Sequence, residues 1–172
     1  MAFSCIAPGV DEGARFGEAP RDLVGRLARA KAAAVSAQQP GAWVIGSDQV
    51  AVLGGEAVLG KPGTEARCRE QLQSCSGRSV EFLTAVALMR QENSALIEFT
   101  DSTRVIFRAL DQPSIERYVA KEQPLDCAGG FKSEGLGIGL CESIDSTDPT
   151  ALIGLPLIRL SAALRGAGFD VP

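Results

Sequence analysis

Asp48 lies in the middle of an apolar run, "GSDQVAVLGGEAVLGKP" (46–62), that otherwise reads as a hairpin. With Gly54-Gly55 as a two-residue loop, Leu53 faces Glu56, and counting back along both strands sets Asp48 opposite Lys61. Cross-strand partners share a face about 5 Å apart, so this carboxylate and ammonium either pin the register or place a base beside a cation able to neutralise an anion. In "GVDEG" (9–13) Glu12 follows Asp11, and with Asp48 it offers oxygen ligands to a hard divalent cation, magnesium or manganese. The plainer reading of two adjacent carboxylates is a cap or a solvated charge. Lys31 falls at the edge of an apolar helical stripe, where a lysine can also simply snorkel over core. Glu134 sits in "GGFKSEGLGIG", which is neither a phosphate-binding P-loop nor a dinucleotide fingerprint. A carboxylate held in such a loop can accept two hydrogen bonds from a planar donor edge such as N1–H and N2–H2 of guanine.

The chain of 172 residues contains no histidine, which excludes Ser-His and Cys-His catalysis and imidazole acid-base chemistry. Its chemistry must run on carboxylates and lysines, with or without a hard metal ion. The net charge of −4 gives no general attraction to nucleic acid or to an anionic membrane, so a small ligand in a locally basic pocket is expected. The five cysteines form no C-x-x-C pair and no secretory segment precedes them, which points to reduced thiols in a cytoplasmic protein.

The elements that must position these residues follow from periodicity. "PRDLVGRLARAKAAAVSA" (20–37) reads as a helix begun by Pro20, with Leu23, Leu27, Ala30 and Ala34 in one stripe. "AWVIGSDQVAVL" is apolar on both parities, which predicts a strand covered on both faces and central in its sheet. A helix over "TEARCREQLQSCSG" ends at Gly77. Two strands, "SVEFLTAVALMRQ" and "ALIEFTDSTRVIFRAL", join at 91–94. "PSIERYVAKE" is a short helix, the glycine-rich segment a connection, and "GLPLIRLSAALRGAGF" a closing helix. The expected architecture is a single α/β domain over 1–172 with a mixed, twisted sheet flanked by helices.

In order, "VDE", "LARAKA", "GSDQVAVL", "LGKP", "CSGRSV", "LTAVAL", "CAGGFKSEGLG" and "LIGLPLIRL" resemble the Maf-like nucleoside triphosphate pyrophosphatases over nearly the whole chain. The resemblance implies a Maf/ITPase-like fold, a homodimer, and the reaction NTP + H2O → NMP + pyrophosphate. It implies Asp48 as the proton acceptor that activates water, assisted by a divalent metal on Asp48 and Glu12. It implies Lys61 as the catalytic, phosphate-contacting lysine of the GKP motif, and Lys31, in the first helix motif, with Gln49 and Glu134 as substrate-binding residues. The chemistry suits these residue types, because splitting a phosphoanhydride needs charge neutralisation and one positioned water.

Two positions mark the branch within that family. Gln49 and Glu134 resemble the 7-methyl-GTP branch, where the dTTP/UTP branch has threonine after the aspartate and glutamine in the loop. A carboxylate also suits the positively charged 7-methylguanine better than a neutral amide does. Set against the family's opening, the chain is expected to lack an N-terminal strand and a Ser-x-Ser-x-x-Arg loop, and with them a phosphate-gripping arginine. The alternatives are a dTTP/UTP pyrophosphatase of the same family and a non-catalytic nucleotide-binding or cell-division regulatory protein.

Overall fold

A computed structural model describes residues 2–172. Helix α1 (Pro20–Ser36) begins at a proline and carries Asp22 in its first turn, where a carboxylate favours the helix dipole. Strand β1 (Val44–Leu53) and the short β2 (Ala57–Leu59) form a hairpin. Helix α2 (Glu65–Cys75) is capped by Thr64, whose hydroxyl accepts from Arg67 N. Strands β3 (Ser79–Arg90) and β4 (Ala95–Phe107) are joined by a 3-10 turn over Gln91–Asn93, closed by Ser94 at φ 53°. Helix α3 (Gln112–Glu122) starts at Asp111, which accepts from Ser114 N at 2.9 Å. Strand β5 (Cys141–Ser146) and helix α4 (Leu157–Gly166) complete the chain.

The strand order is β2-β1-β3-β4-β5 and every pairing is antiparallel. The α/β class matches the sequence reading, while the sheet is antiparallel throughout where a mixed one was expected. β3, not β1, is the central strand. The double apolar parity of β1 reports that both its faces are covered, and coverage does not fix position in the sheet. On one face Val50, Val52, Leu83, Ala85 and Ala87 pack under Leu23, Val24, Leu27, Ala28 and Ala32 of α1. The opposite face buries Ala51, Leu53, Phe82, Val105 and Phe107 against Cys68, Leu72, Ile115 and Val119 of α2 and α3. Farther along that sheet, Val86 and Leu88 meet Leu160 and Leu164 of α4. The buried stripe of α1 therefore runs through Val24, Ala28, Ala32 and Val35, rotated from the expected Ala30 and Ala34, and this turns Lys31 toward the sheet. β5 went unforeseen because its burial is slight and its composition polar.

All five cysteines are free. Burial pushes the thiols of Cys68, Cys75, Cys127 and Cys141 up to about 11. Among the described residues, no helix is long and apolar enough to cross a membrane.

Candidate active site

The pleat of β1 sends alternate side chains to opposite faces. Asp48 goes with Val50 and Val52 to the α1 face, as does Gly46. That glycine lets the helix descend onto the strand: a Cβ at Gly46 would stand 2.3 Å from the carbonyl oxygen of Ala28 and 2.5 Å from the amide of Ala32. Lys31, the neighbour of Ala32, is thereby lowered onto Asp48. Its Nζ lies 2.6 Å from Asp48 Oδ1 and 2.7 Å from Glu12 Oε1. The Asp48 and Lys31 side chains are only 10% and 17% exposed, so this is a largely desolvated pair. Lys61 approaches from the solvent side, 3.9 Å from Glu12 Oε2 and 62% exposed.

Burial dominates at Asp48 and raises its pKa above the usual 3.8, although the Lys31 hydrogen bond pulls the other way. Burial alone would lower the pKa of Lys31, but its hydrogen bonds to Asp48 and Glu12 outweigh that and raise it. The Lys31 hydrogen bond lowers the pKa of Glu12. The cluster thus holds a cation between two carboxylates, one of which is a stronger base than an ordinary aspartate. Asp48 Oδ1 is engaged by Lys31. Its Oδ2 accepts no hydrogen bond from the described residues.

The register differs from the one read in the sequence. Leu53 pairs with Ala57, so Gly54, Gly55 and Glu56 form a three-residue loop, and pairing ends at Ala51 and Leu59. Asp48 lies opposite Ala85 of β3, and Lys61 is not its cross-strand partner. Gly54 and Gly55 both take positive φ, 65° and 88°, and the extra loop residue shifts every downstream pairing by one. Lys61 reaches the cluster as a flank of Glu12, and Lys31 takes the place expected for it beside Asp48.

Gln49 points to the other face of β1. Its Nε2 donates to Thr84 Oγ1 at 2.9 Å and to the carbonyls of Ala151 and Leu152 at 3.0 and 3.2 Å. Ser47 Oγ lies on the same side within 2.9 and 2.8 Å of the carbonyls of Ala85 and Gly154, which share its one O–H. These two residues fasten the 3-10 turn Ala151–Ile153 to the sheet, so the structure gives Gln49 a scaffolding contact and does not bring it beside Asp48.

Glu134 is also apart from the cluster, exposed in the glycine-rich connection, with Ser133 Oγ 3.4 Å from its carboxylate. That connection is tied to the corner carrying Lys61. Gly129 N donates to the carbonyl of Gly60 at 3.2 Å, and Gly63 N donates to that of Leu125 at 2.9 Å. A recess of about 310 Å³ lies at this corner, lined by Gly60, Lys61, Pro62, Arg67, Glu70 and Gln71. A larger one, about 490 Å³ between α2 and α3, touches none of the predicted site residues. The candidate site considered is therefore the Asp48 cluster, which the larger hollow does not touch.

Sequence reasoning missed Arg26 and Glu18, which hold the segment carrying Glu12. Arg26 Nε donates to Glu18 Oε1 at 2.6 Å. The one available signal was a charged pair flanking the start of α1, and nothing in the spacing linked it to Glu12. A group of three or more His, Cys, Asp or Glu side chains able to hold a metal ion is absent among the described residues.

Comparison with known proteins gives one family. The family model described as "Maf-like protein" matches residues 1–167. A protein of Xanthomonas oryzae pv. oryzae (strain MAFF 311018) named 7-methyl-GTP pyrophosphatase is 55% identical over 172 residues, covering 100% of this chain and 89% of its own length. A protein of the same name from Alkalilimnicola ehrlichii is 56% identical over 171 residues, covering 99% and 85%. Another from Pseudomonas syringae pv. tomato is 51% identical over 172 residues, covering 100% and 89%.

Proposed function

Because the chain belongs to the Maf-like protein family, we propose that the cluster of Asp48, Lys31, Glu12 and Lys61 is the phosphate side of a 7-methyl-GTP pyrophosphatase. The enzyme hydrolyses 7-methyl-GTP to 7-methyl-GMP and pyrophosphate. The observation that carries the site assignment is the buried contact of Lys31 with Asp48, which keeps a basic carboxylate and a cation together where water is largely excluded. Asp48 orients a water through Oδ2, the oxygen that Lys31 leaves unbonded, and takes the proton as the water oxygen bonds to the α-phosphorus. The bond between the α- and β-phosphates breaks, and the electron pair leaves with pyrophosphate. Lys31 and Lys61 neutralise phosphate charge on either side of Glu12.

The donor set fits magnesium or manganese. Glu12 and Asp48 present hard oxygens, and the Lys31 ammonium at 2.7 and 2.6 Å already stands in for a cation between them. These two carboxylates would hold the ion, with substrate phosphates and water as further ligands. When bound, such an ion withdraws charge from the phosphate chain. Glu134, on a loop tied to the Lys61 corner, is our candidate for reading the cationic base. The exposed Ile153, Leu155, Leu157 and Ile158 support a second copy of the chain as partner, and the unpaired cysteines support a reducing, cytoplasmic setting.

Pyrophosphate release measured over a panel of nucleotides with magnesium and with manganese tests this reading. The expected result is the highest kcat/KM for 7-methyl-GTP. Preference for dTTP or UTP would move the chain to the sister branch. Inertness toward every nucleotide would favour the regulatory, non-catalytic alternative.

A further inference from the structure

Glu12 lies in residues 2–19, a stretch without helix or strand, yet it meets Lys31 at 2.7 Å. A flexible segment would not hold that contact by itself, since ordering it costs conformational entropy. The bracing comes from one side chain on α1. Arg26 Nε donates to Glu18 Oε1 at 2.6 Å, and its Nη2 donates to Glu18 Oε2 at 2.8 Å and to the carbonyl of Gly13 at 2.9 Å. Glu18 Oε2 also accepts from the amide of Arg15 at 3.0 Å, and Glu18 N donates to the carbonyl of Arg15 at 3.1 Å. Asp11 Oδ1 accepts from Gly13 N at 2.9 Å. Residues 13–18 therefore form a clasp whose two ends, Gly13 and Glu18, are fastened to a single guanidinium, and Glu12 is the residue next to Gly13. The side chains of Arg26 and Glu18 are 21% and 9% exposed, so the two-pronged pair is substantially shielded from water.

The geometry points to Arg26 as a positioning residue for the hydrolysis: it closes the clasp of residues 13–18 and so keeps Glu12 against Lys31 beside Asp48. Arg26 needs no contact with substrate for this. Lysine could not replace it, because one ammonium cannot present the fork that reaches the Glu18 carboxylate and the Gly13 carbonyl together. The inference rests on the reading of Glu12 as part of the phosphate side.

The test uses the whole chain with Arg26→Ala, Glu18→Gln, Glu12→Gln and the double variant Glu12→Gln/Arg26→Ala. Each is assayed for 7-methyl-GTP hydrolysis, thermal midpoint and the rate of trypsin cleavage after Arg15. Opening the clasp should speed that cleavage, and Arg26→Ala should lower kcat/KM about tenfold while the double variant is no slower than Glu12→Gln alone. Losses that multiply in the double variant overturn the inference, because Arg26 would then act independently of Glu12. Unchanged kcat/KM alongside faster cleavage overturns it as well. If Glu12→Gln is itself silent, the role given to Glu12 falls and takes the inference with it. The cleavage rates still report the clasp in that case, so the two failures are distinguished. Should Arg26→Ala unfold the protein, Glu18→Gln opens the same clasp from its other end and decides the matter by the same kinetic comparison.

Discussion

Lys31 neutralises Asp48 from the helix side, with Nζ 2.6 Å from Oδ1, while Lys61, just beyond the hairpin, stands off at the rim. Two lysines that look equivalent in the sequence therefore carry different loads. Asp48→Asn should lower kcat by roughly 10²–10⁴ while nucleotide affinity stays within about tenfold, since it removes the base and keeps the shape. Lys31→Ala leaves two carboxylates facing each other and should lower both turnover and thermal midpoint. Lys61→Ala should act chiefly on KM and leave the midpoint unchanged. Steady-state kinetics with thermal melts separate the three, and near-normal turnover in Asp48→Asn would remove the base from the mechanism.

The acid limb of the pH profile should sit above the ordinary aspartate value. A base works only when ionised, and burial raises the pKa of Asp48 from 3.8, so kcat/KM should begin to fall at a higher pH than an exposed aspartate would give. The Lys31 hydrogen bond opposes that shift, so Lys31→Met should move the limb higher still. A profile of kcat/KM against pH checks both, and a downward move in the variant would contradict the assignment.

Gly46→Ala tests how Lys31 is delivered. The added Cβ has no room against the α1 backbone at Ala28 and Ala32, so the helix must lift. Overpacking of this kind costs about 1–3 kcal/mol, and the lift should also pull Lys31 from Asp48 and depress turnover at temperatures where the variant is folded. Denaturant melts give the first quantity and kinetics below the transition give the second. A folded variant of reduced stability but full activity would show that the close approach serves packing alone.

Gln49 and Glu134 should separate when substituted singly. Gln49→Thr strips the Leu152 carbonyl of its side-chain donor, while that of Ala151 keeps Thr84 Oγ1, and should cost about 1–3 kcal/mol of stability. Glu134→Gln touches an exposed carboxylate and should leave stability alone, but shift preference away from 7-methyl-GTP toward dTTP or UTP. Comparing kcat/KM ratios across these nucleotides decides the second point, and an unchanged ranking would withdraw Glu134 from base reading.

The clasp has its own pH signature. The Arg26 hydrogen bond holds the Glu18 carboxyl at about 2, below its ordinary 4.5. A depressed carboxylate stabilises the fold fully above its unfolded value and loses that contribution as pH falls through the folded one. The difference in thermal midpoint between the native chain and Glu18→Gln should therefore be constant above pH 4.5 and shrink between there and about 2. A gap that widens with acid would mean that Glu18 is not held in this way.

The helices that became α1, α2 and α3 were legible because their signals, such as Pro20 at a start and Gly77 at an end, are local. So was the placing of Asp48 on a strand and Lys31 on a helix. Three-dimensional facts were not. The strand register depended on whether two or three residues turn after Leu53, and the glycines permit both. The separation of Gln49 from Asp48 was implicit in strand alternation, since neighbours on a strand point apart, but which face α1 would cover could not be read from β1 alone. The rotation of the α1 stripe toward Ala28 and Ala32 came from the docking at Gly46, a contact between distant residues. The Arg26 clasp joins parts of the chain with no shared pattern.

The short turn between β3 and β4 bears on the order in which the molecule assembles. These strands pair without interruption from Arg90 and Ala95 to Ser79 and Ile106, so their zipper can close from Gln91–Asn93 with little loop entropy to overcome. The Asp48 cluster needs α1 seated across β1 and β3, a later and more distant event. Easing the left-handed strain at Ser94 with glycine should therefore accelerate refolding, whereas damage at Gly46 or Arg26 should appear chiefly as faster unfolding. Recovery of hydrolysis in a refolding experiment should lag the return of sheet structure, with the active site as the last part of the protein to come into being.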